Sequence, residues 1–302
     1  MRSDPIYTTM NIALCTDEKY SYPCGVCITS ILENNKEEEC NFYVLTTGLK
    51  PKTCQKFKYI ENKYKQKIEI IKIPDQTLNS LKASDRFPSS IYFRFLLPEI
   101  LDCDKVLYLD CDIIVTANLS GLWNTDIKEY ACAAVEDQAS DDITLKNRVG
   151  IYEDYFNSGV LLMNLDYWRK NNIASALVDF IYENPSICEF PDQDALNIVL
   201  QGKVLFLEYQ YNYQEIFYWD KSRLYLHKKK WSKLLPENIL PTIIHYSTSS
   251  KPWYKGCTHP LKDEFFKYKK ASPWKKERIK SKNCFIKKIE LIIKNAVFIL
   301  RK

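Results

Sequence analysis

Asp110 and Asp112 stand one residue apart in the run Lys105–Val115, KVLYLDCDIIV, with apolar residues on both sides. The Val, Leu and Tyr residues that precede them read as a buried strand. In an extended backbone residues i and i+2 point to the same side, so the two carboxylates converge on one point. A buried unpaired carboxylate is costly, and two of them at a core strand need a cation or hydrogen-bond donors. A hard divalent ion that also bridges to phosphate oxygens is the natural compensation for such ligands. The plainer alternative is a solvated strand end where acids cluster, and the triplet alone does not exclude it.

Other residues have the chemistry to complete such a site. Arg94 lies inside the apolar run Ile91–Leu97. A buried guanidinium there needs an anion, either a carboxylate of the acidic cluster or a ligand phosphate. Asn157 precedes another apolar run and can donate and accept toward sugar hydroxyls, although an Asx turn would use it as well. Asp192 and Gln193 follow Pro191 at the start of a predicted helix, where the first acid fits an N-cap. Capping needs only one residue, which leaves Asp192 and Gln193 open to a second role. His245 ends a short apolar run and is either a metal ligand or a structural histidine. Lys251 follows in a polar loop, where it suits a phosphate as a point charge.

The elements that must position these residues are legible as alternating patterns. Strands are expected at 10–15, 41–46 and 68–73, with helices over Tyr22–Glu33 and Pro51–Gln66 between them. A Ser-capped helix start at Pro88–Ser90 leads into Ile91–Leu97. Further strands are expected over Ala131–Val135, Tyr155–Asn164 and at Ile243, with an amphipathic helix from Asp166 to Tyr182. This alternation predicts an α/β fold with one Rossmann-like, mostly parallel sheet flanked by helices. Ligands of such sheets bind beyond the carboxyl ends of the strands, where Asp17, Asp110 and Asp112 lie. There is no GxGxxG after the first strand and no GxxxxGK[ST], so the usual dinucleotide and P-loop grips are absent.

Composition narrows the function class. The 302 residues are long enough for one large domain or two small ones, at 46% hydrophobic and 27% charged. Eleven cysteines are scattered with one CxxC, Cys24–Cys27, and no second pair at zinc-site spacing. An odd, unpatterned set suits reduced thiols in a cytosolic protein. The sequence shows no signal peptide and no run of about 18 apolar residues. Residues 267–302 carry thirteen Lys or Arg against two Glu, a net of +11; with the whole chain at +5, the rest carries −6. A mildly acidic body argues against a nucleic acid partner, and the basic tail argues for an anionic one of its own.

Read together, the sequence resembles the family-eight retaining glycosyltransferases, especially the bacterial lipopolysaccharide galactosyl- and glucosyltransferases. The resemblance covers about residues 10–270 and rests on ordered motifs: Asp17 and Tyr20, Arg94 in YFRFLLPEIL, DKVLYLDCDIIV, YFNSGVLLMNLDYWR, DQDALN and HYSTSSKPW. It implies a GT-A fold and a UDP-hexose donor used with Mn²⁺ or Mg²⁺. It implies that Asp110, Asp112 and His245 hold the metal and Lys251 the diphosphate. Cys15 and Asp17 fall where the family holds uridine, and Arg94 where it contacts the donor. Asp137, Asn157, Asp192 and Gln193 fall where donor sugar and acceptor are held. Thr248 replaces a Gly that often lies against the phosphates, and Lys19 a residue that is often Asn near the base.

The expected activity is metal-dependent, retaining transfer of galactose or glucose from a UDP-sugar to a saccharide or lipid-linked acceptor, as in surface glycan synthesis. Gln193 is a poor nucleophile, so front-face attack is favoured, with Gln193 stabilising oxocarbenium character and Asp192 positioning hydroxyls. A self-glucosylating, glycogenin-like primer and a non-catalytic nucleotide-sugar-binding protein are the alternatives; a glycoside hydrolase would not need the metal triplet with His and Lys. The division expected is a catalytic domain over 1–266 and a basic amphipathic helical tail over 267–302. From Phe285 apolar residues recur at helical spacing, through Ile289, Ile292, Ile293, Ala296, Val297 and Leu300. An interfacial helix on an anionic membrane surface is the expectation, with the protein cytoplasmic and peripheral on the inner face of the plasma membrane.

Overall fold

The structure is a computed structural model that describes residues 9–74, 89–219 and 226–281. Among these residues there are ten strands: β1 (Met10–Cys15), β2 (Cys40–Thr46), β3 (Lys67–Lys72), β4 (Lys105–Leu109), β5 (Ile113–Val115), β6 (Cys132–Glu136), β7 (Phe156–Asn164), β8 (Val204–Phe206), β9 (Tyr213–Gln214) and β10 (Ile243–His245). The helices are α1 (Ser21–Asn34), α2 (Pro51–Tyr64), α3 (Leu97–Ile100), α4 (Ser120–Trp123), α5 (Ile143–Val149), α6 (Leu165–Lys170), α7 (Ile173–Glu183), α8 (Pro191–Val199) and α9 (Lys262–Ala271).

Seven strands form one sheet in the order β3-β2-β1-β4-β7-β6-β8. All its pairings are parallel except those of β7, which runs antiparallel to both β4 and β6. The period-two pattern of the central strands splits the core in two. Ile12, Leu14, Leu107 and Leu109 face one cluster, which also takes in buried residues of α1 and α9. Ala13, Val106 and Tyr108 face the other, together with residues of α6, α7 and α8. Both faces are covered, as a mostly parallel sheet requires. This is the layered α/β architecture that the alternation of strands and helices predicts.

Three local features differ from the expectation. Asp110–Asp112 is not extended: β4 ends at Leu109, and the aspartates occupy the turn before β5. The chain there leaves the main sheet for a second, three-stranded one, in which β10 pairs antiparallel with β5 and parallel with β9. The carboxylates therefore converge through a turn at a sheet crossing. The helix expected over Asp166–Tyr182 is two, α6 and α7, because Asn172 adopts a left-handed conformation with φ 49°; Asn tolerates that region at little cost. Residues Ser89–Leu96 form a 3₁₀-helix that carries Arg94.

Of the basic segment, the part up to Ser281 packs on the body. Tyr268, Ser272 and Trp274 are buried. The Trp274 ring lies against Gly25 of α1, where any side chain would collide with it, and packs edge-on to Phe57 at 5.3 Å. Lys280 N–H donates to Trp253 O at 2.9 Å, and Lys255 N–H donates to Lys280 O at 2.9 Å. The periodic run from Phe285 lies outside the described residues. No helix among those described is long and apolar enough to cross a membrane.

Candidate active site

Each residue singled out in the sequence lines one cleft of about 570 Å³ at the carboxyl ends of β1, β4 and β6: Cys15, Asp17, Arg94, Asp110, Asp112, Asp137, Asn157, Asp192, Gln193, His245 and Lys251. The topology dictates this convergence. Cys15 ends β1, the Asp110–Asp112 turn follows β4, and Asp137 follows β6. The antiparallel β7 brings Asn157 in at its start, and α8 adds Asp192 and Gln193. His245 arrives at the end of β10, from the second sheet.

One end of the cleft holds a candidate metal centre. One ligand atom each from Asp110, Asp112 and His245 lies within 4.8 Å of the others. His245 is buried, with Nδ1 at 2.8 Å from Asn212 Oδ1 and Nε2 at 3.3 Å from Asp112 Oδ1. Two carboxylates and one imidazole are a donor set that suits Mn²⁺ or Mg²⁺ with open positions for phosphate oxygens. Lys251 pairs with the other oxygen of Asp112 and with Tyr246 O. Burial would raise the Asp112 carboxyl, but Lys251 and His245 outweigh it and hold the group well below the usual carboxylate range.

Arg94 joins the two halves of the site. It is almost fully buried, with NH2 at 3.1 Å from Asp110 Oδ1 and NH1 at 3.2 Å from Asp192 Oδ2. Its remaining donors go to Ile91 O and Ser158 O at 2.9 and 2.7 Å, and its guanidinium stacks 4.2 Å from the Tyr108 ring centre. Tyr108 in turn donates its hydroxyl to Asp110 Oδ1 at 2.7 Å. The anion that a buried Arg94 requires is thus supplied by two carboxylates of the protein.

The far end is a set of neutral amides and acids. Gln193 Nε2 donates to Asp137 Oδ2 at 3.2 Å, and Gln193 Oε1 accepts from Ser158 N–H at 3.0 Å. Ser158 Oγ donates to Asp192 Oδ2 at 3.1 Å. Burial pushes the carboxyls of Asp192 and Asp137 up, against the pull of Arg94 on the first and of the Asn157, Ala139 and Gln193 donors on the second. Asp192 does not cap α8. The N-cap is Phe190, Pro191 takes the first helical position, and Asp194 reaches back to accept from Phe190 N–H at 2.9 Å while Arg148 and Tyr155 hold it. Asp192 is therefore free to face Arg94.

Two residues here, Asn212 and Gln138, had no signal in the sequence. Asn212 sits among tyrosines in a 3₁₀-turn and is reached only through the fold. Gln138 and Ser247 line the cleft, and each holds a buried oxygen, Gln138 Oε1 and Ser247 Oγ, that no described residue hydrogen-bonds. Thr248 donates its hydroxyl to Glu215. Unsatisfied oxygens beside a cluster of amides and acids suit a polyhydroxylated ligand. Cys15 is half-buried beside Cys111, which donates to Cys15 O at 3.2 Å, and desolvation pushes its thiol up. The ten described cysteines are all free.

A family model described as glycosyl transferase family 8 matches residues 11–257. General stress protein A of Bacillus subtilis is 31% identical over 91% of this chain and 96% of its own length. The Escherichia coli lipopolysaccharide glucosyltransferase WaaO is 30% identical over 88% of this chain and 79% of its own. The Salmonella typhimurium lipopolysaccharide 1,3-galactosyltransferase is 28% identical over 87% and 79%. The structure superposes on that of galactosyltransferase LgtC in complex with donor and acceptor sugar analogs with a TM-score of 0.79 and 26% identity, covering 87% of this chain and 96% of that one.

Proposed function

The chain belongs to glycosyl transferase family 8 and is a glycosyltransferase; from this premise we propose that it transfers galactose or glucose from a UDP-hexose to a saccharide or lipid-linked acceptor, with retention at the anomeric carbon. The observation that carries the reading is the order of groups along one cleft: Asp110, Asp112, His245 and Lys251 at one end, Asp137, Asp192 and Gln193 at the other, with Arg94 between. That order matches a diphosphate at one end and a pyranose at the other.

Each group has a stated part. Asp110, Asp112 and His245 would hold Mn²⁺ or Mg²⁺, and Cys15 and Asp17 would flank the uridine. A bound divalent ion supplies Lewis-acid stabilisation of the UDP leaving group, several kcal/mol in such sites. Lys251 adds a positive charge where that leaving group gains negative charge. Asp192 and Asp137, with Asn157, orient sugar hydroxyls by accepting and donating hydrogen bonds. Gln193 Oε1 accepts from Ser158 N–H and lies 3.4 Å from Ser158 Oγ, so while that hydroxyl donates to Asp192 a second lone pair is left for the cationic sugar. An amide oxygen is a weak nucleophile, so the acceptor hydroxyl attacks from the leaving-group face and its proton passes to a departing phosphate oxygen.

We place the enzyme in the cytoplasm, peripheral on the inner face of the plasma membrane, on the strength of the basic excess after residue 266. The test is UDP release from a panel of UDP-sugars with Mn²⁺, with and without EDTA. Release from UDP-galactose or UDP-glucose that EDTA abolishes is the expected result. Release undiminished in metal-stripped protein, or in Asp112→Asn, overturns the metal assignment. Binding of UDP with no turnover toward any acceptor would make the chain a sensor, and hexose found on its own tyrosines would make it a self-priming enzyme.

A further inference from the structure

Four buried side chains form an unbroken hydrogen-bonded line from the sugar end of the cleft to the metal end. Asn157 Nδ2 donates to Asp137 Oδ2 at 2.9 Å, Asn212 Nδ2 donates to Asn157 Oδ1 at 2.9 Å, and His245 Nδ1 lies 2.8 Å from Asn212 Oδ1. Asp137, Asn157, Asn212 and His245 are each less than a tenth exposed. Amide ends can be exchanged and an imidazole has two tautomers, so the direction of each bond must be fixed by a group that cannot turn round.

One such group exists. The Gly159 backbone N–H donates to Asn157 Oδ1 at 3.0 Å, and a backbone N–H has no alternative role. That contact makes the same oxygen face Asn212 and turns the amide nitrogen of Asn157 toward Asp137. Asn212 must then present its nitrogen to Asn157 and its oxygen to His245. An oxygen there accepts only from an N–H, so His245 carries its proton on Nδ1. In the neutral ring the lone pair is left on Nε2, the nitrogen 3.3 Å from Asp112 Oδ1.

We propose that Asn212 is a positioning residue for the metal centre: it fixes His245 in the Nδ1–H tautomer and orientation that direct the Nε2 lone pair at the metal, and it ties that choice to Asn157 and Asp137 in the sugar subsite. The proposal rests on the metal-dependent reading above. It adds a physical link between the two halves of the site, because a change at Asn157 reaches His245 through Asn212, and a change at Asp137 through Asn157 and Asn212. Ligand histidines commonly need such an outer partner, whose loss lowers metal affinity about 10- to 100-fold.

The experiment needs no substrate. The chain has three histidines, so nitrogen NMR on uniformly labelled, metal-free protein can assign the tautomer of each. His245 is expected with a proton on Nδ1 whether the ring is neutral or cationic, and a neutral ring protonated on Nε2 alone in the wild type overturns the proposal without any variant. Mn²⁺ titration by EPR then compares Asn212→Leu, which keeps the approximate size and removes both bonds, with Asn212→Asp, which can still accept from His245 but cannot donate to Asn157. Asn212→Leu should weaken Mn²⁺ binding about 10- to 100-fold and mix the His245 tautomers, whereas Asn212→Asp should keep the Nδ1–H signature and most of the affinity. Equal losses in the two variants, or none in Asn212→Leu, overturn the assignment. If the wild type binds no divalent ion at all while His245 shows the expected tautomer, the metal-dependent reading fails and the role of Asn212 toward a metal fails with it.

Discussion

The imidazole of His245 occupies the space that a β-carbon on Gly159 would take. Such a carbon would also lie 2.9 Å from Asp110 Oδ2 and 3.0 Å from His245 Nδ1, inside contact distance for both. Gly159 sits in β7, between β4 and β6, and its carbonyl accepts from Asp110 N–H at 2.8 Å. The glycine is thus required for close approach between β7 and two of the three candidate metal ligands.

Gly159→Ala is therefore expected to move His245 or Asp110 and to weaken Mn²⁺ binding by at least about tenfold, the scale seen when ligand orientation is disturbed. The strand itself tolerates Ala, so the circular dichroism spectrum should be unchanged, while the overpacking lowers stability by about 1–3 kcal/mol. Mn²⁺ affinity equal to wild type would show that the three groups do not bind the ion.

A second expectation concerns stereochemistry and Gln193. The Gln193 side chain is held by Ser158 N–H and Asp137, at the end of the cleft opposite Lys251. Gln193→Ala should lower the rate of hexose transfer by one or more orders of magnitude while the Kd for UDP changes less than about threefold, since a group that acts on the transition state alone lowers kcat and kcat/KM together. The product of the wild type should be α-linked by its anomeric coupling constant. A β-linked product overturns retention, and an equal loss in UDP binding would move Gln193 to the nucleotide.

The pH dependence of stability has a definite sign at His259. This ring is buried between Tyr218 and Tyr246, and its Nδ1 accepts from Leu261 N–H at 3.1 Å. Burial, with smaller contributions from His245 and Lys251, lowers its pKa from the usual 6.5 to about 3. The folded state then resists a proton that the unfolded chain accepts, so the stability is fully present above pH 6.5 and is lost progressively as the pH falls toward 3. At pH 5 the loss is about 2 kcal/mol from this group alone. His259→Asn, whose oxygen can take over the contact to Leu261, should be less stable at pH 8 for want of ring packing, yet flatter between pH 6.5 and 4. Chemical denaturation across that range checks it, and parallel curves for the two proteins would remove His259 as the cause.

What the sequence disclosed and what it concealed divide along physical lines. The strands were legible because β1, β2 and β4 are nearly continuous apolar runs, the mark of strands buried on both faces. Asp110, Asp112, Arg94 and His245 were legible because a charged or titratable group inside an apolar run demands a partner. Asn212 and Gln138 were not, since an amide among tyrosines or after an acid breaks no local rule. Their meaning depends on β9 and β6 being brought beside His245 and Asp137. The break at Asn172 was hidden for a related reason: the apolar spacing continues through it, and only the backbone conformation marks the end of α6.

The last expectation separates the basic segment into two parts. Up to Ser281 it belongs to the body: Trp274 fills a place over Gly25 and Phe57, and Lys280 is hydrogen-bonded through its backbone to the residues that follow Lys251. A protein cut after Ser272 loses Trp274 and should be destabilised by about 3–5 kcal/mol, the cost of removing a large buried aromatic. A cut after Ser281 keeps those contacts and removes only Lys282, Lys287, Lys288, Lys294, Arg301 and Lys302 with the periodic apolar residues between them. Each basic residue near an anionic bilayer contributes about 1 kcal/mol, so six of them with the periodic apolar residues are enough to decide binding. The protein ending at Ser281 should melt within a few degrees of the full chain and hydrolyse UDP-hexose at the same rate. Unlike the full chain, it should not sediment with vesicles containing phosphatidylglycerol. If the full chain ignores such vesicles, or if the cut after Ser281 unfolds it, residues 282–302 serve the fold and the membrane-surface assignment falls.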